Sequence, residues 1–442
     1  MILNNNHKAL VTELTPMLEK SSRSFYIWIA ILTGFVTLGF VAFVIQMVQG
    51  QIVTGMRDNV VWGIYEVNFI LFVGVSYSGA FISGILHFIQ SRRKNSVSRI
   101  IEIITVLCLC IGPIFILLCI GRLDRLHYLF LYPRIQSPIT WDILAIMTDL
   151  VGCFIYLYLT FIPDFAILRD SDHLKIPAWK KKLYKTLAIG YHHTPSQKKR
   201  LHKITKTMSA MVIALAIVAY TVLAWIFSLT LQPGWNSTIF APYFIIGGIY
   251  TGVAVIILVM YVVRRTLNLE KYIDKSHFTI AGLVLLVFSL VYGYFTFSEY
   301  FARWFSHKTI DEKLLNTLFT RYFWTFIIAN YIGILVPIAI LFFKKLRTIR
   351  NITIAALIVL IGSWLNRYLI IIPTLETPYI PIQDTRIDYV FYSATWIEWA
   401  LVISGFAAFM LFFSLLLKIV PIIPLSGIIE SENESTTITN DQ

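Results

Sequence analysis

The chain has 442 residues, 57% of them hydrophobic and 14% charged, with a formal net charge of +13 and a mean hydropathy of +0.73. A soluble domain carries about 25% charged residues, and a globular core of this length cannot bury so much apolar surface, whereas a bilayer accepts it. The apolar runs are continuous, which excludes a transmembrane β-barrel with its alternating strands; the lysines and arginines fall between the runs, which reads as membrane topology and not as nucleic-acid binding.

In chain order the sequence predicts an all-α integral membrane protein with about ten transmembrane helices. The polar stretch 1–23 comes first, and the apolar run after it is long enough to span, so no cleavable leader is expected. The spans are predicted at 24–48, 60–90, 100–120, 141–162, 207–231, 242–263, 279–301, 322–343, 352–372 and 392–419. The second is long enough to tilt or to extend past the membrane. Between the fourth and fifth, 163–206 reads as a long polar loop holding Lys180-Lys181-Lys182 and Lys198-Lys199-Arg200, positioned to touch anionic lipid headgroups. The tail 424–442 is rich in Ser, Glu, Asn and Thr and is expected to be disordered. The four cysteines, Cys108, Cys110, Cys119 and Cys153, all fall in predicted spans without metal-binding spacing and read as packing residues.

The basic residues orient this array. The N-terminus, the even-numbered connections and the C-terminus hold 27 of the 37 lysines and arginines, the odd-numbered connections hold 9, and Arg367 lies within a span. The excess of positive charge marks the cytoplasmic side and puts both termini there.

An internal echo suggests how the spans group. Gly74-Val75-Ser76-Tyr77-Ser78-Gly79 in span two and Gly247-Gly248-Ile249-Tyr250-Thr251-Gly252 in span six both read G-x-x-Y-[S/T]-G. This predicts two similarly oriented four-helix bundles, spans 2–5 (60–231) and 6–9 (242–372), flanked by spans one and ten.

Ionisable residues within a span are costly and therefore candidate functional groups. The predicted orientation brings Glu66, Arg122, Asp142, Glu299, Arg367 and Glu398 to one level in the outer third. Asp142 and Asp149 are seven residues apart on one helix face, about 10 Å in depth. Glu66 and Tyr77 are eleven apart and also share a face, so together these groups outline a polar track leading inward. Glu102 lies deeper, toward the cytoplasmic end of span three. The structural alternative is interhelical pairing, for example Glu299 with Arg367. Of the nine histidines only His87 lies in a span, which leaves no pair of axial ligands for a haem. No Walker motif, metal-ligand cluster or nucleophile motif is present, so hydrolase and ATP-driven pump chemistry lack support.

The motif segments are Trp62-Gly63-Ile64-Tyr65 with Asn68-Phe69, Gly121-Arg122 with Tyr132-Pro133, Ser137-Pro138 with Trp141-Asp142, the run from Ile162-Pro163-Asp164 to Arg169-Asp170, Pro233-Gly234-Trp235-Asn236, Phe297-Ser298-Glu299-Tyr300, and Asn366-Arg367-Tyr368. With these in place the chain, from about Gly50 to Thr377, resembles the NrfD/PsrC family of membrane subunits. It looks most like the branch found in alternative complex III and the menaquinone reductase complex.

That resemblance implies a haem-free subunit of the bacterial cytoplasmic membrane that takes menaquinone or ubiquinone as substrate. It implies an iron–sulfur subunit docked on the outer face, alongside a molybdopterin-type subunit, multihaem cytochromes c and a second NrfD-like subunit. By the same resemblance the quinone pocket lies near the outer end of the first bundle, with Tyr77, Arg122, His127 and Asp142 as candidates. Glu66, Glu102, Asp149, Glu299, Arg367 and Glu398 are candidates for a proton path. The sequence departs from the family pattern at four polar positions: Cys119, Tyr77, Tyr220 and Asn236 stand where relatives tend to carry histidine. Those departures leave open a structural or proton-conducting anchor without a working quinone site. The ten spans and the repeat by themselves also allow a secondary transporter.

Overall fold

The computed structural model describes residues 5–15, 18, 21–88, 97–171, 174, 176–379 and 391–429. Among them there are ten helices long and apolar enough to cross a membrane, and no strand. They run Arg23–Gln49, Gly63–Phe88, Ser98–Cys119, Pro138–Asp170, Pro195–Ser228, Phe240–Thr266, Lys275–Ser306, Phe323–Phe342, Ile349–Leu375 and Trp396–Leu416, hereafter spans one to ten.

Their starts follow from local chemistry. The Ser22 hydroxyl accepts from Phe25 N at 3.2 Å, and the Thr348 hydroxyl from Asn351 N at 3.2 Å. Asp274 and Thr395 each open a capping box, with His277 and Glu398 as the reciprocal partners. A cap of this kind satisfies a backbone donor that has no helical acceptor and contributes about 1 kcal/mol.

Two predicted boundaries move. The predicted loop 163–206 is mostly helix: span four continues to Asp170 and span five begins at Pro195, so the connection shrinks to 171–194 and carries the short helix Ala178–Leu187. Pro163 does not end span four, because Phe165, Ala166, Ile167 and Leu168 are all buried and hold the helix in place beyond it. At the other end of the loop Thr194 accepts from Gln197 N, and Pro195 occupies a first-turn position where its missing N–H costs nothing. The tail also departs from expectation over Leu425–Ile429, which is helical and places Leu425, Ile428 and Ile429 in the core. The expected disorder of the remainder, like part of the predicted N-terminal stretch, falls outside the described residues.

Span two packs on span three and on span five, and span four on span five. Span six packs on seven and nine, and span eight on nine and seven. Span one lies against span ten, which also touches spans two and three. The two groups meet where span two crosses span six, at the repeated glycines. A Cβ on Gly74 would stand 3.5 Å from the Gly248 Cα, an ordinary contact, whereas one on Gly252 would stand 2.2 Å from the Ser78 Oγ, so a side chain at Gly252 would push the helices apart.

The end of the array carrying residues 50–62, 120–137 and 229–239 is the basic-poor end. The end carrying 171–194 is basic-rich.

Candidate functional site

The acids of the first bundle come from spans two, three and four and point into its interior. Glu66 sits in the first turn of span two and is 5% exposed. Asp142 lies in the first turns of span four, close enough for its charge to act on Glu66. Eleven residues below Glu66, about 16 Å along the helix axis, Tyr77 faces Asp142, Asp149 and Cys153 of span four and lies 5.2 Å, ring to ring, from Tyr220 of span five. Glu66, Tyr77, Asp142 and Asp149 thus lie in one bundle, with Asp142 acting on both Glu66 and Tyr77 and Asp149 on Tyr77.

These groups lack the hydrogen bonds that buried polar atoms ordinarily have. The Tyr77 hydroxyl, the Asp142 Oδ1 and the Asp149 Oδ2 are buried with no hydrogen-bond partner, while the Asp149 Oδ1 accepts from the Cys153 thiol at 3.6 Å. Desolvating such atoms without a partner is unfavourable by about 1–3 kcal/mol each. Three such atoms in one bundle suit it to taking a polar group from outside the chain.

Glu102 is placed apart, toward the basic-rich end. Its carboxylate accepts from the Thr160 hydroxyl at 2.8 Å and the Ser83 hydroxyl at 3.3 Å. Next to it stands a buried ion pair that the sequence pattern does not suggest. Arg99, 2% exposed, donates to Asp164 at 2.9 Å and to the Thr160 carbonyl at 2.8 Å, and its guanidinium lies 3.9 Å from the centre of the Phe161 ring. Asp164 also accepts from the Ser426 backbone N–H at 3.0 Å, which anchors the C-terminal turn. The predicted span boundaries put both Arg99 and Asp164 in connections. The apolar run Phe165–Leu168 is the available signal that Asp164 is buried.

The other candidates do not join this site. Glu299 pairs with Arg303 one turn along span seven and accepts from the Ser237 hydroxyl at 2.6 Å, so the expected Glu299–Arg367 pair does not form. Arg367 sits instead between the bundles, among Tyr292 and Tyr243 of the second and Tyr220 of the first. It donates to the Tyr292 hydroxyl at 3.5 Å and the Asn366 carbonyl at 3.4 Å, and packs against Gly247. Glu398 takes four donors, Gly55 N at 2.7 Å, Thr395 N at 2.9 Å, the Thr395 hydroxyl at 3.3 Å and the Tyr392 hydroxyl at 2.6 Å. Arg122 is two-thirds exposed with a long 3.7 Å contact to Asp124, and His127 is exposed against Tyr128. A shared membrane level is thus not a shared site.

Beside Glu398 a second carboxylate, outside the predicted spans, closes the basic-poor end. Glu376 follows span nine and accepts from Tyr392 N at 2.8 Å and the Tyr322 hydroxyl at 2.9 Å. Burial raises its pKa above the ordinary glutamate value, against those hydrogen bonds and the charge of Arg321. The Tyr392 hydroxyl also accepts from Ile64 N at 2.9 Å, which ties this strap to the start of span two, just before Glu66.

Two of the positions where histidine was expected are occupied by committed donors. The Cys119 thiol lies 3.5 Å from the Trp62 carbonyl and 3.4 Å from the Phe115 carbonyl, and the Tyr220 hydroxyl donates to the Phe244 carbonyl at 3.1 Å. Asn236 is exposed. Of the four substituted positions, Tyr77 alone presents an unpartnered group to the bundle interior.

A family model described as "Polysulphide reductase, NrfD" matches residues 52–378. The chain is 27% identical over 269 residues to a Halobacterium salinarum protein named for the membrane component of a dimethyl sulfoxide reductase, covering 60% of this chain and 58% of that protein. The chain thus spans just under three-fifths of that relative's length. It is 20% identical to a selenate reductase subunit of Mesobacillus selenatarsenatis, across 90% of this chain and 94% of that protein. It is 22% identical to the Hdr-like menaquinol oxidoreductase integral membrane subunit of Archaeoglobus fulgidus, across 94% of this chain and 98% of that protein.

Proposed function

We infer the role of this chain from its family: it belongs to the polysulphide reductase NrfD family and is a membrane subunit of a quinone-linked oxidoreductase complex. Within that role we propose that it binds a quinone or quinol in the first bundle, near the basic-poor end, between Tyr77 and Asp142. The observation that carries this reading is the pair of buried, unpartnered groups, the Tyr77 hydroxyl and the Asp142 Oδ1, in one bundle with Glu66 and Asp149. A quinone offers two oxygens: the phenol O–H donates to one, and the carboxyl group exchanges a proton with the other. In the oxidising direction a quinol gives up two electrons and two protons. The electrons pass to a docked iron–sulfur protein and the protons to the carboxylates of Asp142 and Glu66; in the reducing direction each transfer reverses.

The partner reading rests on the names of the relatives, which are membrane subunits of reductases and of a menaquinol oxidoreductase. An iron–sulfur subunit on the outer face, with a molybdopterin-type subunit, multihaem cytochromes c or a second NrfD-like subunit beyond it, completes an assembly of the alternative complex III or menaquinone reductase kind. The exposed Arg122 and His127 lie at the end where such a partner docks. The family resemblance supports placing it in the bacterial inner membrane, and the basic-residue bias supports both termini being cytoplasmic. Proton translocation would run inward from Asp149 toward Glu102, Thr160 and the Arg99–Asp164 pair.

A second reading has its own observation. Cys119 and Tyr220 are committed to backbone carbonyls, which favours an anchor that conducts protons or serves structure without a quinone. Turnover of the intact complex separates the two. Tyr77→Phe with Asp142→Asn is expected to lower quinol turnover at least tenfold while the complex stays assembled. Unchanged turnover in that double variant rejects the quinone site and leaves the anchor.

A further inference from the structure

On the axis of the first bundle, below the cluster of Tyr77 and Asp149, lies a cavity of about 10 Å³. All four spans of the bundle line it: Ser83 from span two, Glu102 and Thr105 from span three, Cys153 and Tyr156 from span four, and Val212 from span five. We propose that it holds one water molecule, which accepts from the Tyr156 hydroxyl and donates to the Glu102 carboxylate.

The size sits at the lower bound for a single water and excludes a larger ligand. The lining supplies what a buried water needs. The Tyr156 hydroxyl is buried and has no hydrogen-bond partner. Glu102 already accepts from Thr160 and Ser83, and a carboxylate has about four lone-pair sites, so it retains capacity for another donor. Ser83 gives its proton to Glu102 at a long 3.3 Å and keeps acceptor capacity on the side of the cavity. Thr105 is satisfied by the Ile101 carbonyl at 2.9 Å and adds a polar wall. Two to four polar partners around an enclosed volume distinguish a wet cavity from a dry apolar one.

The position gives this water a consequence. Cys153 bounds the cavity and also contacts the Asp149 Oδ1 at 3.6 Å. On the far side Glu102 connects through Thr160 and Arg99 to Asp164. The water therefore stands in the gap between the acids near the basic-poor end and the chain that reaches the basic-rich end. A proton taken up by this water on one side while it releases one on the other moves a single charge with no net bond change. That relay role rests on the proton transfer proposed for this bundle; the presence of the water does not.

The test is a high-resolution cryo-EM structure of the intact complex in nanodiscs, for wild type and for Val212→Ile, whose extra methyl group enters the cavity, together with the rate of proton release during quinol turnover. The expected result is a density peak within hydrogen-bond distance of the Tyr156 hydroxyl and Glu102 in wild type, its absence in Val212→Ile, and about a tenfold slower proton release in the variant. A dry wild-type cavity overturns the proposal. Water present in wild type, lost in Val212→Ile, with proton release unchanged supports the site and rejects the proton path. If Val212→Ile does not assemble, Tyr156→Phe, which removes only the donor, is expected to abolish the peak; a peak that persists unchanged there overturns the assignment.

Discussion

The two halves of the repeat carry the same tyrosine to opposite ends. Tyr250, in the echo of span six, donates to the Gly333 carbonyl at 2.8 Å. That carbonyl is free because Pro337, four residues on in span eight, has no N–H to offer it, next to a π-helical turn over Ile327–Ile332. Tyr77, at the same place in span two, has no acceptor and faces Asp142 and Asp149 instead. The surroundings differ in the same sense. The second bundle pairs Glu299 with Arg303, Tyr243 with Asn366 and Arg367 with Tyr292, and the buried atoms it leaves without a partner include the Nε of Arg303 and of Arg367, the Asn330 Nδ2 and the Ser363 hydroxyl. The first bundle leaves two phenol hydroxyls, of Tyr77 and Tyr156, two carboxylate oxygens, of Asp142 and Asp149, and two Arg99 nitrogens without a partner. The two groups of helices differ in what they leave unanswered: among the described residues the first leaves carboxylate oxygens and phenols without a partner, and the second leaves no carboxylate oxygen so.

The comparison breaks most readily at the inner end of the first bundle. Arg99→Ala strands the fully buried Asp164 without its cation and is expected to destabilise the chain by about 3–5 kcal/mol, read as a large fall in thermal stability of the purified complex. Next in size is the tyrosine pair itself. Tyr250→Phe removes the donor to a buried carbonyl and should cost about 1 kcal/mol of stability with quinol turnover within twofold of wild type, whereas Tyr77→Phe should leave stability unchanged or raised and lower turnover about tenfold. If both variants behave alike, the two halves are equivalent and the contrast fails.

A smaller effect concerns the strap over the basic-poor end. Glu376 has its pKa raised by burial above the ordinary value of 4.5. It binds its proton more tightly folded than unfolded, so its contribution to stability is full below that ordinary value and is lost as pH rises through its elevated folded value. Thermal stability should decline with rising pH from 4.5 upward, and Glu376→Gln should flatten that part of the slope. An unaltered slope in the variant assigns the pH dependence elsewhere. Smallest of all is Arg122→Ala: its exposed 3.7 Å contact with Asp124 should change stability by less than about 0.5 kcal/mol.

Much of the fold was legible because its causes are local. Apolar runs of bilayer length located all ten spans. The exception was 163–206, where Pro163 and a high lysine content suggested a loop. The helix persists there because tertiary burial of Phe165–Leu168 outweighs a proline, and no local rule sums those terms. The candidate site was legible in part. Depth along each span put Glu66, Tyr77, Asp142 and Asp149 on one track, and they lie in one bundle with Asp142 acting on both Glu66 and Tyr77. Depth says nothing of rotation about the bundle axis, and so Glu299, Arg367 and Glu398, at the same level, belong to other networks. The Glu299–Arg303 pairing was within reach, being four residues apart on one helix. Arg99–Asp164, 65 residues apart on two spans, was not.

The central claim, that a quinone occupies the first bundle at Tyr77 and Asp142, is tested most directly by the affinity of the intact complex for a quinone analogue in wild type, Tyr77→Phe, Asp142→Asn and Tyr250→Phe. The account predicts about tenfold weaker binding for each of the first two variants and wild-type binding for Tyr250→Phe. Equal affinity in all four, or a loss confined to Tyr250→Phe, would contradict it.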